Sequence, residues 1–152
     1  MALFLFTPNT VIQSSKVNAN LQNLEDHGLH INLKWTFSGT LTTQTSTDYI
    51  SFPDNVTISR VDLIVSTAPT GAEIIVDIER STDSGANWVT IFTNTANRPQ
   101  IAAAAKTGNT TTIDIPSGTG LTHLYRAKIS QVGSTIAGAD LSVIVRATAD
   151  LD

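Results

Sequence analysis

The chain has 152 residues, a length typical of one domain with a sizeable hydrophobic core. Only 14% of the residues are charged and the net charge is −4, which argues against nucleic-acid binding because phosphate recognition needs a basic patch. The absence of cysteine excludes disulfides, thiol nucleophiles and cysteine-based metal sites. Ala2 to Phe6 is too short for a signal peptide or a membrane span, so we expect a chain made in the cytoplasm with no membrane partner.

The first 30 residues predict an arm followed by one short helix. Met1 to Phe6 is apolar and unfavourable in water, so we expect it either to complete a sheet or to dock on another subunit. Val11 to Asp26 predicts the helix, because its leucines and Val17 form one apolar stripe and Gly28 follows as a stop. The candidate residues for attachment or oligomerisation are Leu3, Phe4, Leu5, Phe6, Val17, Leu21 and Leu24.

From Ile31 onward the alternation of apolar and polar residues predicts strands. The strongest pattern lies in Val61 to Ile78, where two β-branched stretches flank a loop with proline and glycine. Together with the two strands of this stretch, Val56–Ser66 and Glu73–Arg80, strands are predicted at Ile31–Phe37, Leu41–Gln44, Thr47–Phe52, Trp88–Thr93, Thr110–Ile115, Thr122–Val132 and around Leu141–Val145. The four alanines at 102–105 favour a helical turn.

About eight strands at even spacing predict an all-β fold, a β-sandwich preceded by the arm and helix. Long connections between sheets favour a jelly roll over an immunoglobulin fold, and no Cys–Trp–Cys signature supports the latter. The predicted divisions are residues 1–30 for the arm and helix, 31–149 for the sandwich and 150–152 for a tail.

Ser81, Asp83, Gly85 and Trp88 have the spacing of a sialidase-type Asp box. We interpret this pattern as a structural turn in which Asp83 accepts hydrogen bonds from backbone N–H groups, Gly85 supplies a positive φ and Trp88 packs beneath. Sugar binding is the alternative interpretation. One copy in a chain of this length excludes a propeller.

Three carboxylates, those of Asp62, Asp77 and Glu79, lie on predicted neighbouring strands. Two carboxylates at a suitable separation can hydrolyse a glycoside, and strand alternation puts Asp77 and Glu79 on one face. The alternative is a solvated outer face with ion pairs to Arg60 or Arg80. We favour that alternative because no convergent set of acids and bases is visible.

His27 and His30 raise the question of a metal site, since two histidines three residues apart can share an ion. No third ligand lies nearby, so ordinary surface histidines are the simpler interpretation. The sequence therefore predicts no catalytic residue, no cofactor, no metal ligand and no enzyme activity.

Several segments resemble structural proteins of tailed bacteriophages. Phe6 to Leu24 is similar to a helical segment near the start of virion proteins. Thr67–Ile78, Thr95–Ala103 and Gln131–Val143 resemble a β-sandwich module of fibres and head-decorating proteins. The resemblance implies a virion protein that attaches to a larger assembly, often as a homotrimer, with the major capsid protein or other tail- or head-associated proteins as its partners.

The sequence therefore leaves two candidate functions. The first is a capsid decoration, cement or head-fibre protein that binds the particle surface through protein–protein contacts. The second is a tail-fibre-type module that binds a receptor or a carbohydrate, in which Trp35, Tyr49, Trp88 or Tyr125 would stack on sugars if their rings are exposed.

Overall fold

The computed structural model describes residues 30–118 and 120–150. The predicted arm and the predicted helix, Val11–Asp26, lie outside the described residues. Within the described ranges the protein contains strands and two 3-10 turns, at Thr95–Asn97 and Gly120–Thr122, and no α-helix. The strands form two antiparallel sheets, which confirms the predicted β-sandwich.

Each sheet contains five strands. The first sheet is built from β1 (His30–Thr40), β3 (Val56–Ile64), β7 (Thr107–Thr110), β8 (Ser117–Gly118) and β10 (Ala139–Ala149). Its order is β1–β10–β3–β7, and β8 pairs with the start of β3. The second sheet is built from β2 (Gln44–Thr45), β4 (Ile74–Ser81), β5 (Val89–Thr90), β6 (Gln100–Ile101) and β9 (Leu124–Gln131). Its order is β2–β9–β4–β5, and β6 pairs with the start of β4.

The core lies between the sheets and follows from strand alternation. Every second residue of β10, from Leu141 to Ala147, is buried, while the residues between them are partly or largely exposed. The inward residues of β4 and β9 face them from the second sheet. Phe52 and Tyr125 add an edge-on ring contact at 5.2 Å between centroids. The alternation seen in the sequence therefore places the core correctly.

Four predicted strands are much shorter in the structure or absent from it. Of Leu41–Gln44 only the last residue is in a strand, β2, which starts at Gln44. Thr47–Phe52 contributes only a single bridge, at Ile50. Trp88–Thr93 is reduced to the two residues of β5. Thr110–Ile115 is not a strand, because the pairing with β3 ends at Thr110.

Hydrogen bonds from side chains explain the missing strand after Thr110. The carboxylate of Asp114 accepts hydrogen bonds from the backbone N–H of Asn94 at 2.8 Å and from the side-chain amide of Asn97 at 2.7 Å. The segment is thereby tied to the 3-10 turn and not to a neighbouring strand.

The predicted helical turn in the alanine run is wrong. Residues 102–105 form a turn in which the N–H of Ala105 bonds to the carbonyl of Ala102 at 3.0 Å. Ala104 has a φ of 67°, which a right-handed helix does not allow. The chain must reverse here between β6 in one sheet and β7 in the other, and this requirement overrides the helix propensity of alanine.

Gly108 allows the two sheets to meet at one edge of the sandwich. A Cβ atom at this position would lie 1.8 Å from the carbonyl oxygen of Gln100, well inside van der Waals contact. Gly108 belongs to β7 and Gln100 to β6, so these strands of different sheets approach as closely as a backbone without a side chain permits.

We expect Gly108→Ala to lower the free energy of unfolding by about 1–3 kcal/mol, because the added methyl group must push β6 and β7 apart. Urea denaturation followed by far-ultraviolet circular dichroism measures the change. The control is Thr107→Ala, an exposed neighbour that should change the free energy by less than about 0.5 kcal/mol. Equal stability of Gly108→Ala and the wild type would contradict the close approach.

Candidate functional site

The attachment residues predicted from the sequence, Leu3, Phe4, Leu5, Phe6, Val17, Leu21 and Leu24, lie outside the described residues. Their role therefore stays a prediction. The described residues offer three regions with distinctive chemistry. These are the β4–β5 hairpin with its aromatic neighbours, the ion pairs on the outer faces of the sheets, and one loop end of the sandwich.

The structure places the Asp-box residues in the turn between β4 and β5. Asp83 accepts hydrogen bonds from the backbone N–H of Asn87 at 2.8 Å and from the Ser81 hydroxyl at 2.7 Å. The Ser81 oxygen in turn accepts the N–H of Gly85 at 2.9 Å, and Gly85 has a φ of 91°. The Trp88 indole donates to the carbonyl of Gly85 at 3.0 Å. All four motif residues thus hold one turn together.

Hydrogen bonding also fixes the charge of Asp83. The backbone N–H of Asn87, followed by the Ser81 hydroxyl and the Asn87 side-chain amide, lowers the pKa of the Asp83 carboxyl to about 2. Each of these groups donates to the ionised form and so favours it. Asp83 is therefore an ionised structural acceptor at neutral pH and cannot serve as a proton donor.

Trp88 is enclosed by two other side chains. The Arg126 guanidinium carbon lies 4.2 Å from the ring centroid, in cation–π geometry. The ring of Tyr49 lies 4.9 Å away at an interplanar angle of 48°. Tyr49 is 54% exposed, whereas Trp88 is half-buried. The arrangement gives a small aromatic step on the surface, with Tyr49 as its accessible ring.

The other two aromatic candidates for sugar stacking are buried. Trp35 faces the core and its indole donates to the carbonyl of Asp48 at 3.1 Å. Tyr125 is completely buried against Phe52. Neither ring can stack on a sugar without unfolding the sandwich, so only the Tyr49–Trp88 step is relevant to carbohydrate binding.

Asp77 and Glu79 lie on the outer face of β4, yet both are buried, which corrects the expectation of a solvated face. Asp77 accepts the Thr90 hydroxyl at 2.5 Å and forms an ion pair with Arg98 at 2.8 Å. Burial raises the pKa of Asp77, although Thr90 and Arg98 oppose the shift. A partner for each carboxylate oxygen is required here because an unpaired buried charge is costly.

Glu79 is paired with two cations of the neighbouring strand. Arg126 donates to one of its carboxylate oxygens at 2.6 Å, and Lys128 reaches the other at 3.3 Å. Arg126 lies directly opposite Glu79 in the register of β4 and β9, and Lys128 lies opposite Asp77. The prediction that Arg80 pairs with one of these carboxylates is wrong, because the Arg80 guanidinium donates to the carbonyl of Ser117 at 2.8 Å.

Asp62 is not a neighbour of the other two carboxylates, contrary to the prediction. It lies on β3 in the first sheet, whereas Asp77 and Glu79 lie on β4 in the second. It is bound by Arg60, as the sequence alternative proposed, and also by Arg146. The three carboxylates therefore do not converge on one cleft.

No group of three or more histidine, aspartate or glutamate side chains within residues 30–118 and 120–150 is arranged to hold a metal ion. His30 begins β1 and is exposed. The second member of the predicted pair, His27, lies outside the described residues.

One end of the sandwich is formed by three loops, which we call the loop end: residues 66–73, 102–106 and 132–138. Backbone hydrogen bonds join them, from Ala104 to Pro69 at 2.8 Å and between Thr70 and Ile136 at 3.0 Å. Glu73 and Lys106 are their only charged residues. Ile136 is 47% exposed on this surface, among alanines, serines and threonines. The loop end is a connected surface of small side chains with little charge.

Sequence reasoning missed Arg98, Arg126 and Lys128 as partners of the buried carboxylates. The signal for the last two is the alternation of basic residues in β9 against acidic residues in β4, which becomes a pairing once the register is known. Arg98 lies in an irregular loop and carries no such signal.

No protein-family model matches the chain, and the search of curated proteins also finds no match. Within the described ranges, no helix combines the length and the hydropathy that a membrane crossing requires.

We expect nuclear magnetic resonance titration of the Asp83 carboxyl to give a midpoint near pH 2, with the turn losing its hydrogen bonds only as the pH falls through that value. A lowered pKa means that the ionised form stabilises the folded turn, and this contribution is complete above the ordinary aspartate pKa. Ser81→Ala removes one donor and should raise the midpoint.

Thr82→Ala is the matched control, since Thr82 is exposed in the same turn and makes no hydrogen bond with Asp83 within the described residues. Its midpoint should equal that of the wild type. A wild-type midpoint near pH 4, the ordinary aspartate range, would refute the hydrogen-bonded turn.

Proposed function

We propose that the protein is a structural component of a tailed-bacteriophage virion, a capsid decoration, cement or head-fibre protein. It is made in the host cytoplasm and binds the particle through protein–protein contacts with the major capsid protein or with tail- or head-associated proteins. In this proposal it acts as a homo-oligomer, in the form of a trimer, and has no catalytic activity.

One structural observation carries the proposal: the segments that resemble phage sandwich modules come together at the loop end. Thr67–Ile78, Thr95–Ala103 and Gln131–Val143 are far apart in sequence. In the fold Ile74 pairs with Ile101, Ile75 pairs with both Gln100 and Gln131, and Thr67 pairs with Ala139. A resemblance confined to scattered segments thus corresponds to one contiguous part of the molecule.

The loop end has the physical character of a contact surface. Alanine, glycine and serine lose little side-chain entropy when they are covered, and the hydrogen bonds between the loops already fix the backbone. Few charged groups would have to be desolvated, and Ile136 supplies apolar area worth about 25 cal/mol per Å² when buried. These properties favour attachment to a neighbouring protein.

The finer fold assignment in this proposal is a jelly roll. With β5 and β6 counted as one position and β7 and β8 as another, successive positions lie in opposite sheets except for β4 and the β5–β6 position after it. The first strand pairs with the last, β1 with β10. The strands at the second and the seventh positions, β2 and β9, pair in the other sheet. This connectivity supports a jelly roll of eight principal positions, in which β5 with β6 and β7 with β8 each share one position.

The state of the carboxylates supports a role without catalysis. A glycoside hydrolase needs one carboxyl group that donates a proton and another that faces the sugar. Asp77 and Glu79 are buried and are occupied by Thr90, by Arg98 and by the cations of β9. Neither presents an unoccupied oxygen to a substrate.

The test is the occupancy of the protein on particles purified from the lysate that encodes it, measured by quantitative mass spectrometry. Ile136→Asp should reduce occupancy by about tenfold or more, because an unpaired carboxylate would be buried in the contact. Deletion of Met1–Phe6 should also reduce it if the apolar arm takes part in attachment. Native mass measurement of the purified protein tests the trimer.

Val89→Asp is the matched control, because Val89 is 58% exposed but lies in β5, away from the loop end. Its occupancy should equal that of the wild type, and all variants should unfold at similar temperatures. The absence of the protein from particles, or full occupancy by Ile136→Asp, would end the proposal.

A receptor- or carbohydrate-binding module is the second candidate, and the Tyr49–Trp88 step favours it. An exposed tyrosine beside an arginine can stack on a sugar ring while the guanidinium binds a hydroxyl or an acidic group. The tilt of 48° between the rings and the arginine on Trp88 leave only the Tyr49 ring for stacking, so the platform is small.

If this candidate is correct, a glycan array should give hits that Tyr49→Ala reduces by about tenfold, in line with the loss of one stacking contact. Val89→Ala, which removes a different exposed side chain of the same sheet, should leave the hits unchanged. An array without hits for the wild type removes the carbohydrate alternative.

A further inference from the structure

The outer face of the first sheet contains two arginines directly opposite each other. Arg60 of β3 pairs with Arg146 of β10 in the strand register. Like charges at directly opposed positions destabilise a sheet unless another group compensates. Here the compensating group is Asp62, whose two carboxylate oxygens accept one hydrogen bond from the Nε atom of each arginine.

Asp62 holds both guanidinium groups in place. Burial tends to raise the pKa of Asp62, but the hydrogen bonds and charges of Arg146 and Arg60 outweigh this effect and lower it. The carboxylate is therefore ionised at neutral pH. One negative charge bridges two positive charges, and the group retains a net charge of +1.

The terminal nitrogens of the two arginines remain available. Both hydrogen bonds to Asp62 use Nε, and the Nη atoms donate none to any residue within 30–118 and 120–150. The two side chains are 44% and 50% exposed. Guanidinium groups oriented by a fixed carboxylate lose less conformational entropy on binding than mobile ones.

The arginines line a surface depression of about 230 Å³. Ile64, which is 46% exposed, and the polar residues Thr107 and Asn109 of β7 complete its wall. The depression therefore joins two cationic groups to an apolar contact and neutral hydrogen-bonding groups. Arginine is enriched in the centres of protein–protein interfaces, and Ile64 adds exposed apolar area beside it.

We propose that Arg60 and Arg146 form a binding site for a carboxylate presented by an acidic surface of a partner protein. The Nη atoms would hold the carboxylate oxygens from two sides, as guanidinium groups do in bidentate ion pairs. Ile64 would pack against an apolar side chain next to the acid.

Sugars, nucleic acids and other polyanions fit this face less well than a carboxylate does. The described strands of this sheet present no tyrosine, tryptophan or phenylalanine on the outer side that a sugar or a nucleobase would need for stacking, since Trp35 and Phe37 point inward. Lys34 on β1 is the only further lysine or arginine on these strands, too few for a polyanion track. The site suits one or two carboxylates and not a long phosphate chain.

This inference rests on the proposed assembly role, since it identifies one surface through which the protein would contact a partner. It concerns a different face from the loop end. A direct binding assay therefore separates the two: the arginine site can fail while Ile136→Asp still abolishes particle occupancy, and the converse can also occur.

The assay titrates the full-length, ¹⁵N-labelled protein with a hexaglutamate peptide capped at both ends, at low ionic strength. We expect the largest changes in nuclear magnetic resonance chemical shift at the Nε–H signals of Arg60 and Arg146 and at the backbone amides of Ile64 and Asn109. The double variant Arg60→Gln with Arg146→Gln should raise the dissociation constant by about tenfold or more.

The matched control is Lys34→Gln with Lys106→Gln, which also removes two positive charges but leaves the depression intact. It should change the dissociation constant by less than about twofold, as expected for screened surface charges. The double variant Arg60→Lys with Arg146→Lys retains positive charges that can pair with Asp62, so it separates a loss of binding from a loss of folding. It should still bind more weakly than the wild type because lysine lacks the planar fork of arginine.

Three results would overturn the inference. One is the absence of shift changes at the two arginines in the wild type. Another is an equal loss of affinity in the lysine control, which would show attraction by overall charge. The third is stronger binding at the same residues by inorganic phosphate or by phosphatidylserine vesicles than by hexaglutamate, which would assign the site to a phosphate or a lipid headgroup.

Discussion

The burial of one apolar face from each sheet is the constraint on which the other features depend. Strand alternation sends every second residue of β4, β9 and β10 into the shared core. In β3 the alternation changes phase at a register shift around Ser59, and the charged residues of all four strands lie on the outer faces. There Asp62, Asp77 and Glu79 are still largely covered by their neighbours. A covered carboxylate must find a cation. Neighbouring strands supply arginine and lysine to Glu79 and Asp62, whereas Asp77 pairs with the loop residue Arg98.

The two outer faces resolve this requirement differently. On the second sheet, two carboxylates meet Arg98, Arg126 and Lys128, and Trp88 covers the Arg126 guanidinium, so most of the polar atoms are committed to one another. On the first sheet, one carboxylate serves two arginines and leaves their terminal nitrogens available. The imbalance of charge on the first sheet, and not the presence of charge as such, distinguishes its outer face from that of the second sheet.

The sequence predicts the sandwich because its strongest signal, the alternation in Val61 to Ile78, comes directly from the core. The sequence-based prediction fails where contacts with distant residues determine the backbone conformation. Asp114 ties the chain to the turn at Asn94, and the N–H of Ala104, whose φ is positive, bonds to the carbonyl of Pro69. Neither contact is local, so no pattern within the segment reveals it. The ion pairs of Glu79 with β9 and of Asp62 with Arg146 require the register, which alternation leaves undetermined.

The local motif behaves in the opposite way. Every hydrogen bond of the Ser81–Trp88 turn joins residues at most four positions apart, so its spacing alone specifies its structure. The same locality limits what it says about function, because the Asp83 carboxylate and the Ser81 hydroxyl are already bonded within the turn. The loop end and the Arg60–Arg146 pair are different, because each is a surface assembled from segments far apart in the chain. Surfaces of this kind exist only after folding, so no motif within one segment of the sequence reveals them.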